Sequence, residues 1–388
     1  MVATLNTTVI QNASSSTANI TLDTAGNAAF GGMPYGTSSF LRNRIINGNM
    51  VIDQRNAGAS VTQGTSLAYT VDRWFCLGTV ASKFTVQQNA NSVTLPTGYS
   101  NYLGVISSSA YSVGSSDYFY INQRIEGFNV YDLAWGTSSA KSVTLSFLVY
   151  SSLTGTFGGS ILNSAANRSY PFTYSIASTN TWTNISVTIP GDTTGTWLTT
   201  NGTGMQIVFG LGVGSSLSGT AGTWAGTTYI SATGAVSVVG TSGATFYITG
   251  VQLEQGSIAT PFERPLYSKQ LADCQRYYWN ETSPQYSVAS TSNGSAISAT
   301  ISCPAPMRTS PTITNPFTDG NYNTSPTGVQ WYFTQPYVGA STKTGTVTPN
   351  ASASALRVTF YFNGATFSNQ PTAINSASGC IVQASAEL

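Results

Sequence analysis

Residues 246–279 read FYITGVQLEQGSIATPFERPLYSKQLADCQRYYW, and this stretch divides the chain. Phe246, Ile248, Val251 and Leu253 are apolar, and their alternation slips phase at Thr249-Gly250. A glycine at such a slip predicts a bulge inside a sheet. Pro261 and Pro265 then mark an extended segment, because the residue before a proline is pushed away from helical backbone angles. After Pro265 the period changes. Tyr267, Leu271, Cys274 and Tyr278 recur at helical spacing and form one face. Lys269, Asp273 and Arg276 fall on the other face, at spacings that allow ion pairs. The pattern predicts one linking helix over 266–280, with a β-rich region on each side.

Outward from that joint, the upstream region 43–265 carries many short alternating runs. Val143, Leu145, Phe147 and Val149 alternate with Thr and Ser, and Met205, Ile207, Phe209, Leu211 and Val213 continue the same period. Glycine-rich breaks separate such runs at intervals of roughly 8–12 residues, the spacing of a sandwich or jelly roll. Trp74 lies mid-strand and is assigned to the core. Downstream, 281–388 forms a second, smaller β domain with candidate strands at 286–288, 296–301, 329–333, 356–362 and 380–384. Residues 1–42 are rich in Ala, Thr, Ser and Asn and cannot build a core alone. Short strands at Ile20-Leu22 and Ala28-Phe30, around Gly26, suggest an extended segment that wraps another subunit or docks on another protein, with a disordered tail as the competing reading. The fold class is therefore all-β: a jelly-roll β-sandwich, a short helix and a smaller C-terminal β-sandwich domain, preceded by an extended N-terminal anchor.

Composition narrows the function. Only 7 % of the 388 residues are charged, against roughly 25 % in ordinary soluble domains. Net charge is +1 and no basic run tracks a phosphate backbone, which argues against a nucleic-acid partner. No apolar run is long enough for a membrane-spanning helix. The four cysteines, Cys76, Cys274, Cys303 and Cys380, lack zinc spacing. Cys274 fits an apolar helix face as a buried thiol, and a Cys303–Cys380 bridge has no support in the spacing.

The chain has no histidine, which removes the commonest general base, the commonest metal ligand and the Ser–His hydrolase arrangement. Its acid–base candidates are 13 carboxylates, and a glycosidase needs only two. Asp72, Glu126 and Glu263 each lie close in sequence to an arginine, so structural pairing accounts for them better than catalysis. No catalytic residue is assigned, no cofactor is implied and no metal site is assigned.

Aromatic residues offer the sharper idea. Aromatic faces stack on the apolar faces of sugar rings while neighbouring amides and hydroxyls bond the ring hydroxyls. Trp135, Trp197 and Trp224 lie beside Gly or Thr in turn-like contexts that favour exposure, and Trp331 and Tyr337 are further candidates. Burial in the core or between subunits is the competing reading for each, since aromatics dominate both.

Seven motifs occur in order: RIINGNMVIDQRNAG, YTVDRWF, QRIEG, WGTSSAKSVTLSFLVYSSLTGTFGG, TIPGDTTGTW, NGTGM and VQLEQGSIATPFERPLYSKQLADCQRYY. Together they resemble a family of phage tail-fibre and virion-surface proteins, over about residues 43 to 280. The resemblance implies a jelly roll similar to carbohydrate-binding modules, ending in a Gln-Leu-Glu strand and a Cys-Gln-Arg-Tyr-Tyr helix. Such jelly rolls often hold a structural calcium through acids near the first and last strands. Here Val51 and Thr249-Gly250 stand at those positions, leaving Asp53 or Glu254 as the acids in reach.

The expectation is a structural, non-enzymatic virion protein, made in the host cytoplasm. It is read as a homotrimeric tail fibre that recognises host-surface polysaccharide and reaches other virion proteins through residues 1–42. Three helices meeting through Tyr267, Leu271, Cys274 and Tyr278 would define the threefold axis. The alternatives are a capsid-decorating or connecting fibre without a ligand, and a polysaccharide depolymerase.

Overall fold

The computed structural model describes residues 42–282, 296–314 and 381–388, together with short strands elsewhere. The chain divides into two units. One takes Met1–Val51, Ala59–Ala68 and Trp74–Arg264; the other takes Ile52–Gly58, Tyr69–Arg73 and Pro265–Leu388.

In the first unit the long strands are β1 (Trp74–Gly78), β2 (Phe84–Gln88), β3 (Leu103–Ser107), β4 (Tyr118–Glu126), β5 (Val143–Ser151), β6 (Gly155–Leu162), β7 (Ser169–Ile176), β8 (Thr183–Ile189), β9 (Thr203–Val213) and β10 (Thr245–Gln255). One sheet runs β8-β5-β10-β3-β2 and ends on the short strand Val61–Thr62; the facing sheet runs β7-β6-β9-β4-β1. Every pairing among these long strands is antiparallel. The nesting identifies the topology. β6 pairs with β7, β5 with β8, β4 with β9 and β3 with β10, so eight strands form one long hairpin rolled up into two sheets. That is a jelly roll, the β-sandwich expected from the alternation within residues 43–265.

The alternating apolar residues meet between the sheets. Val143, Leu145, Phe147 and Val149 of β5 are buried, as are Ile207, Phe209 and Leu211 of β9. Phe147 stands edge-on to Phe209 with ring centroids 5.1 Å apart, and Phe157 packs 6.0 Å from Phe246. Trp74 is fully buried, 6.2 Å from Phe209, and its indole N–H donates to the Asn47 carbonyl at 3.2 Å. Each such side chain contributes about 1.5–3 kcal/mol by leaving water.

The bulge expected at Thr249-Gly250 is present. β10 is in register with β5 up to Leu148↔Thr249 and resumes at Ser146↔Gln252, with Gly250 at φ +63°. The extra residue moves Val251 and Leu253 onto the buried set that Phe246 and Ile248 begin.

Both outer faces are partly covered. Tyr102, Tyr247 and Ala90 form a second apolar cluster with half-buried Tyr150 and Trp182, while Leu162, Val208 and Ile230 form another. Near the N-terminus, Ile20–Leu22 pairs with Ala28–Phe30 inside a four-stranded sheet, as the sequence suggests.

In the second unit, helix α1 spans Tyr267–Gln275. This corrects the span expected from the sequence. The chain turns after Cys274, whose carbonyl accepts from the Tyr277 amide at 2.9 Å, and Tyr278 already belongs to strand β11 (Tyr278–Thr282). The buried helix positions are Gln270 and Cys274, whereas Tyr267 is 62 % exposed. The face Tyr267–Leu271–Cys274–Tyr278 is therefore not presented as a unit, because Cys274 and Tyr278 are buried within their own chain. Strand β11 and strand β12 (Thr312–Thr314) flank strand β13 (Ile381–Ser385) in a three-stranded sheet.

Beside that sheet, Arg55 and Arg73 both bind the Glu387 carboxylate. The Arg55 guanidinium lies between the Tyr69 and Tyr278 rings, 4.4 and 3.6 Å from their centroids, and Arg73 lies 3.6 Å over Tyr277. Asp72 is buried and takes hydrogen bonds from the Gln54 amide and side chain. Arg73 thus reaches Glu387, far from it in sequence, and Glu263 accepts from the Asn43 amide. Cys76, Cys274 and Cys303 are free thiols. Cys380 and Tyr337 lie outside the described residues, and Trp331 is placed only as part of the strand Trp331–Phe333.

Candidate functional site

The rolled hairpin sends three connections to one end of the sandwich. Leu162 pairs with Ser169, Ile189 with Val143, and Glu126 with Thr203, so the β6–β7, β4–β5 and β8–β9 loops emerge together. The long β9–β10 connection returns to the same place through a bridge between Ser169 and Ala225.

Three of the tryptophans singled out by the sequence meet there. Trp135 comes from the β4–β5 loop, Trp197 from β8–β9 and Trp224 from β9–β10. Their ring centroids are 4.7 Å (Trp135–Trp197), 5.3 Å (Trp135–Trp224) and 5.7 Å (Trp197–Trp224) apart, with interplanar angles of 83°, 82° and 81°. Such edge-to-face contacts match positive ring edges to negative faces and add to the area buried. Trp135 is 7 % exposed, against the exposure its Gly neighbour suggests, because the other two rings close over it. Trp197 and Trp224 are half-buried. Each indole N–H is bonded: Trp135 to the Lys141 carbonyl at 2.7 Å, Trp224 to the Pro190 carbonyl at 2.9 Å and Trp197 to Asp192 Oδ2 at 3.1 Å.

Asp192 is the node of the arrangement. It is 1 % exposed, and Arg168 donates to it twice, Nε to Oδ2 at 2.8 Å and Nη2 to Oδ1 at 2.6 Å. The Thr194 amide adds a further bond at 3.1 Å, and the Asp192 carbonyl accepts from the Gly136 amide at 2.7 Å. Burial alone would raise the Asp192 carboxyl; the bonds from Arg168, Thr194 and Trp197 outweigh it and hold the group below its ordinary value. The same pairing raises Arg168. Asn163 fastens the remaining loop, accepting from the Asn167 and Arg168 amides and donating to the Thr196 carbonyl at 3.0 Å. Gly195, at φ +78°, passes so close to Arg168 that a Cβ there would lie 2.6 Å from Cγ.

Around this rigid cluster the rim exposes apolar residues that the sequence reading does not single out. Tyr131 is 63 % exposed, Phe128 53 % and Leu198 37 %. Phe128 is tied to the β8–β9 loop by its amide, which donates to the Thr200 carbonyl at 3.0 Å. Their signal in the sequence is faint: two aromatics between Gly127 and Leu133, in a run that also suits a short strand. Arg44 and Asp132 form a second ion pair, at 2.6 Å, beside them.

The acids considered for calcium are spent locally. Asp53 accepts from the Asn56 and Gly58 amides, and Glu254 accepts from Gln252 and twice from Thr260. Among the described residues no group of three His, Cys, Asp or Glu could hold a metal ion, and no helix is long and apolar enough to cross a membrane.

No protein-family model and no curated protein matches the chain. Among solved structures it is similar to the enzymatically active domain of tailspike protein 4 of bacteriophage CBA120, at 15 % identity and a TM-score of 0.30. That match covers 55 % of this chain and 22 % of the tailspike chain, so the chain spans under a quarter of its length. It is also similar to a CBM4 module, at 14 % identity over 54 % of this chain and 98 % of the module, with a TM-score of 0.27. A family 11 carbohydrate-binding module from Clostridium thermocellum matches at 12 % identity, over 53 % of this chain and all of the module (100 %), with a TM-score of 0.26.

Proposed function

We propose that this chain is a non-enzymatic virion-surface protein, a homotrimeric phage tail fibre. In this reading its jelly roll binds host-surface polysaccharide at the end where the β4–β5, β6–β7 and β8–β9 loops meet. The observation that carries this reading is the convergence of Trp135, Trp197 and Trp224 from three connections onto one buried Arg168–Asp192 pair. A loop end with half-exposed indoles and exposed Tyr131 gives sugar rings apolar aromatic faces to stack on, and the fixed frame lowers the entropy lost on binding. Asp192 and Asp132 are each committed to an arginine, which favours binding over acid–base chemistry at this end. The virion assignment rests on the seven ordered motifs and the charge-poor composition; exposed Leu266 and Tyr267 at the start of α1 suit contact with sister chains. Residues 1–42 are the segment that would reach other virion proteins.

The test is capture on an array of purified bacterial polysaccharides, with adsorption of the chain to cells carrying the best-captured glycan. Capture without release of oligosaccharide supports binding; released oligosaccharide supports a depolymerase; no capture leaves a decorating or connecting fibre. Mass photometry of the purified chain checks the trimer.

A further inference from the structure

The Arg168 guanidinium is only partly used. Nε and Nη2 donate to Asp192, whereas Nη1 donates to no protein group among the described residues. Exposed Gly226 stands beside Nη1, where even an added Cβ would lie 4.0 Å away. The guanidinium carbon is 5.8 Å from the Trp224 ring centroid, so the unspent N–H donors sit next to a half-buried indole.

The charge at this end is already balanced. Asp192 neutralises Arg168 and Asp132 neutralises Arg44. Exposed Lys141 directs its Nζ to Gln255 Oε1 at 3.5 Å, and Glu126 is buried at the end of β4. A guanidinium locked to a carboxylate keeps its N–H donors in a fixed plane but presents little net charge. A sugar carboxylate would gain little there and would be repelled by Asp192, whereas a hydroxyl oxygen accepts the N–H bonds without that penalty.

We propose that Arg168 is the specificity-determining donor of this site and that the glycan it selects is neutral and hydroxyl-bearing. This rests on the polysaccharide-binding reading above. Asp192 acts as its positioning residue, since it sets the plane of the fork.

The experiment compares the full chain with Arg168→Lys and Gly226→Leu on an array holding both neutral and uronic-acid-containing bacterial polysaccharides. Wild type should be captured by neutral polysaccharides, with affinity changing less than about twofold between 0.05 and 0.5 M NaCl, as expected where no net charge is screened. Arg168→Lys keeps the charge but loses the fork, and should weaken capture about tenfold or more. Gly226→Leu leaves the ion pair intact and covers Nη1 at an exposed turn; a comparable loss is expected, and this variant answers the question even if Arg168→Lys folds poorly. Best capture by acidic polysaccharides, steep weakening with salt, or wild-type capture by Gly226→Leu overturns the assignment while leaving glycan binding standing. A wild-type chain captured by nothing on the array removes both.

Discussion

Asp192 takes two hydrogen bonds from Arg168, 24 residues earlier in the chain, while almost entirely withdrawn from water. The pair lies where four connections and three tryptophans meet, so it carries both the order of the site and part of its stability. Breaking a buried pair by removing one partner typically costs about 3–5 kcal/mol, because the remaining charge is left uncompensated. Asp192→Ala should therefore unfold at clearly lower urea concentration than wild type. Its tryptophan emission should also move to longer wavelength, as Trp197 loses its partner. An unchanged midpoint and spectrum would show that the pair is not structural.

Glycine at 195 is required by space as well as by backbone angle. Gly195 and Gly234 have nearly the same φ, +78° and +80°, but an added Cβ meets Arg168 Cγ at 2.6 Å in the first case and nothing within 4 Å in the second. Gly234→Ala should cost only about 1 kcal/mol, the penalty of the left-handed conformation. Gly195→Ala should cost about 1–3 kcal/mol more, since Arg168 must shift off Asp192. Calorimetric unfolding of the two variants side by side measures the difference, and equal midpoints would refute it.

Asp72 gives the second unit a predictable pH response. Burial, only partly offset by hydrogen bonds from Gln54 and the nearby Arg55, pushes its carboxyl up from 3.8 to about 6. In the folded chain the proton is therefore held more tightly than in the unfolded chain. Between about pH 4 and pH 6 the unfolded state ionises first, so this group's contribution to stability falls as pH rises through that window and stays low above it. Asp72→Asn cannot ionise, and its stability relative to wild type should rise across the same window, by on the order of 2–3 kcal/mol. Urea unfolding of both proteins at pH 4 and pH 7 tests the sign; a constant difference would exclude the effect.

Glu387 holds two arginines at once, and its side chain is only 7 % exposed. Glu387→Gln keeps the shape but removes the carboxylate charge that Arg55 and Arg73 both bind. The cost should again be about 3 kcal/mol or more, confined to the unit that contains α1. Limited proteolysis should show earlier cleavage beyond Pro265 in the variant, with the jelly-roll fragment as resistant as in wild type.

Much of the architecture was legible because it follows from backbone geometry. A period of two puts Leu145, Phe147 and Val149 on one face whatever they pack against, and a phase slip at a glycine signals a bulge wherever the strand lies. Turn-like contexts also located Trp135, Trp197 and Trp224 in the connections. The limits of α1 were less visible, since Tyr278 satisfies a helical spacing yet belongs to a strand and pairs with Ser385, far later in the chain.

The sequence by itself determined the alternation, the bulge at Gly250 and the scarcity of charge, because each is a local property of neighbouring residues. Only the tertiary structure decided that Arg73 meets Glu387, that Trp135 is buried, and that Tyr131 and Phe128 are exposed at the rim. Those outcomes depend on how the rolled hairpin superposes distant loops. No periodicity within a single segment encodes which loop ends will share one end of a sandwich.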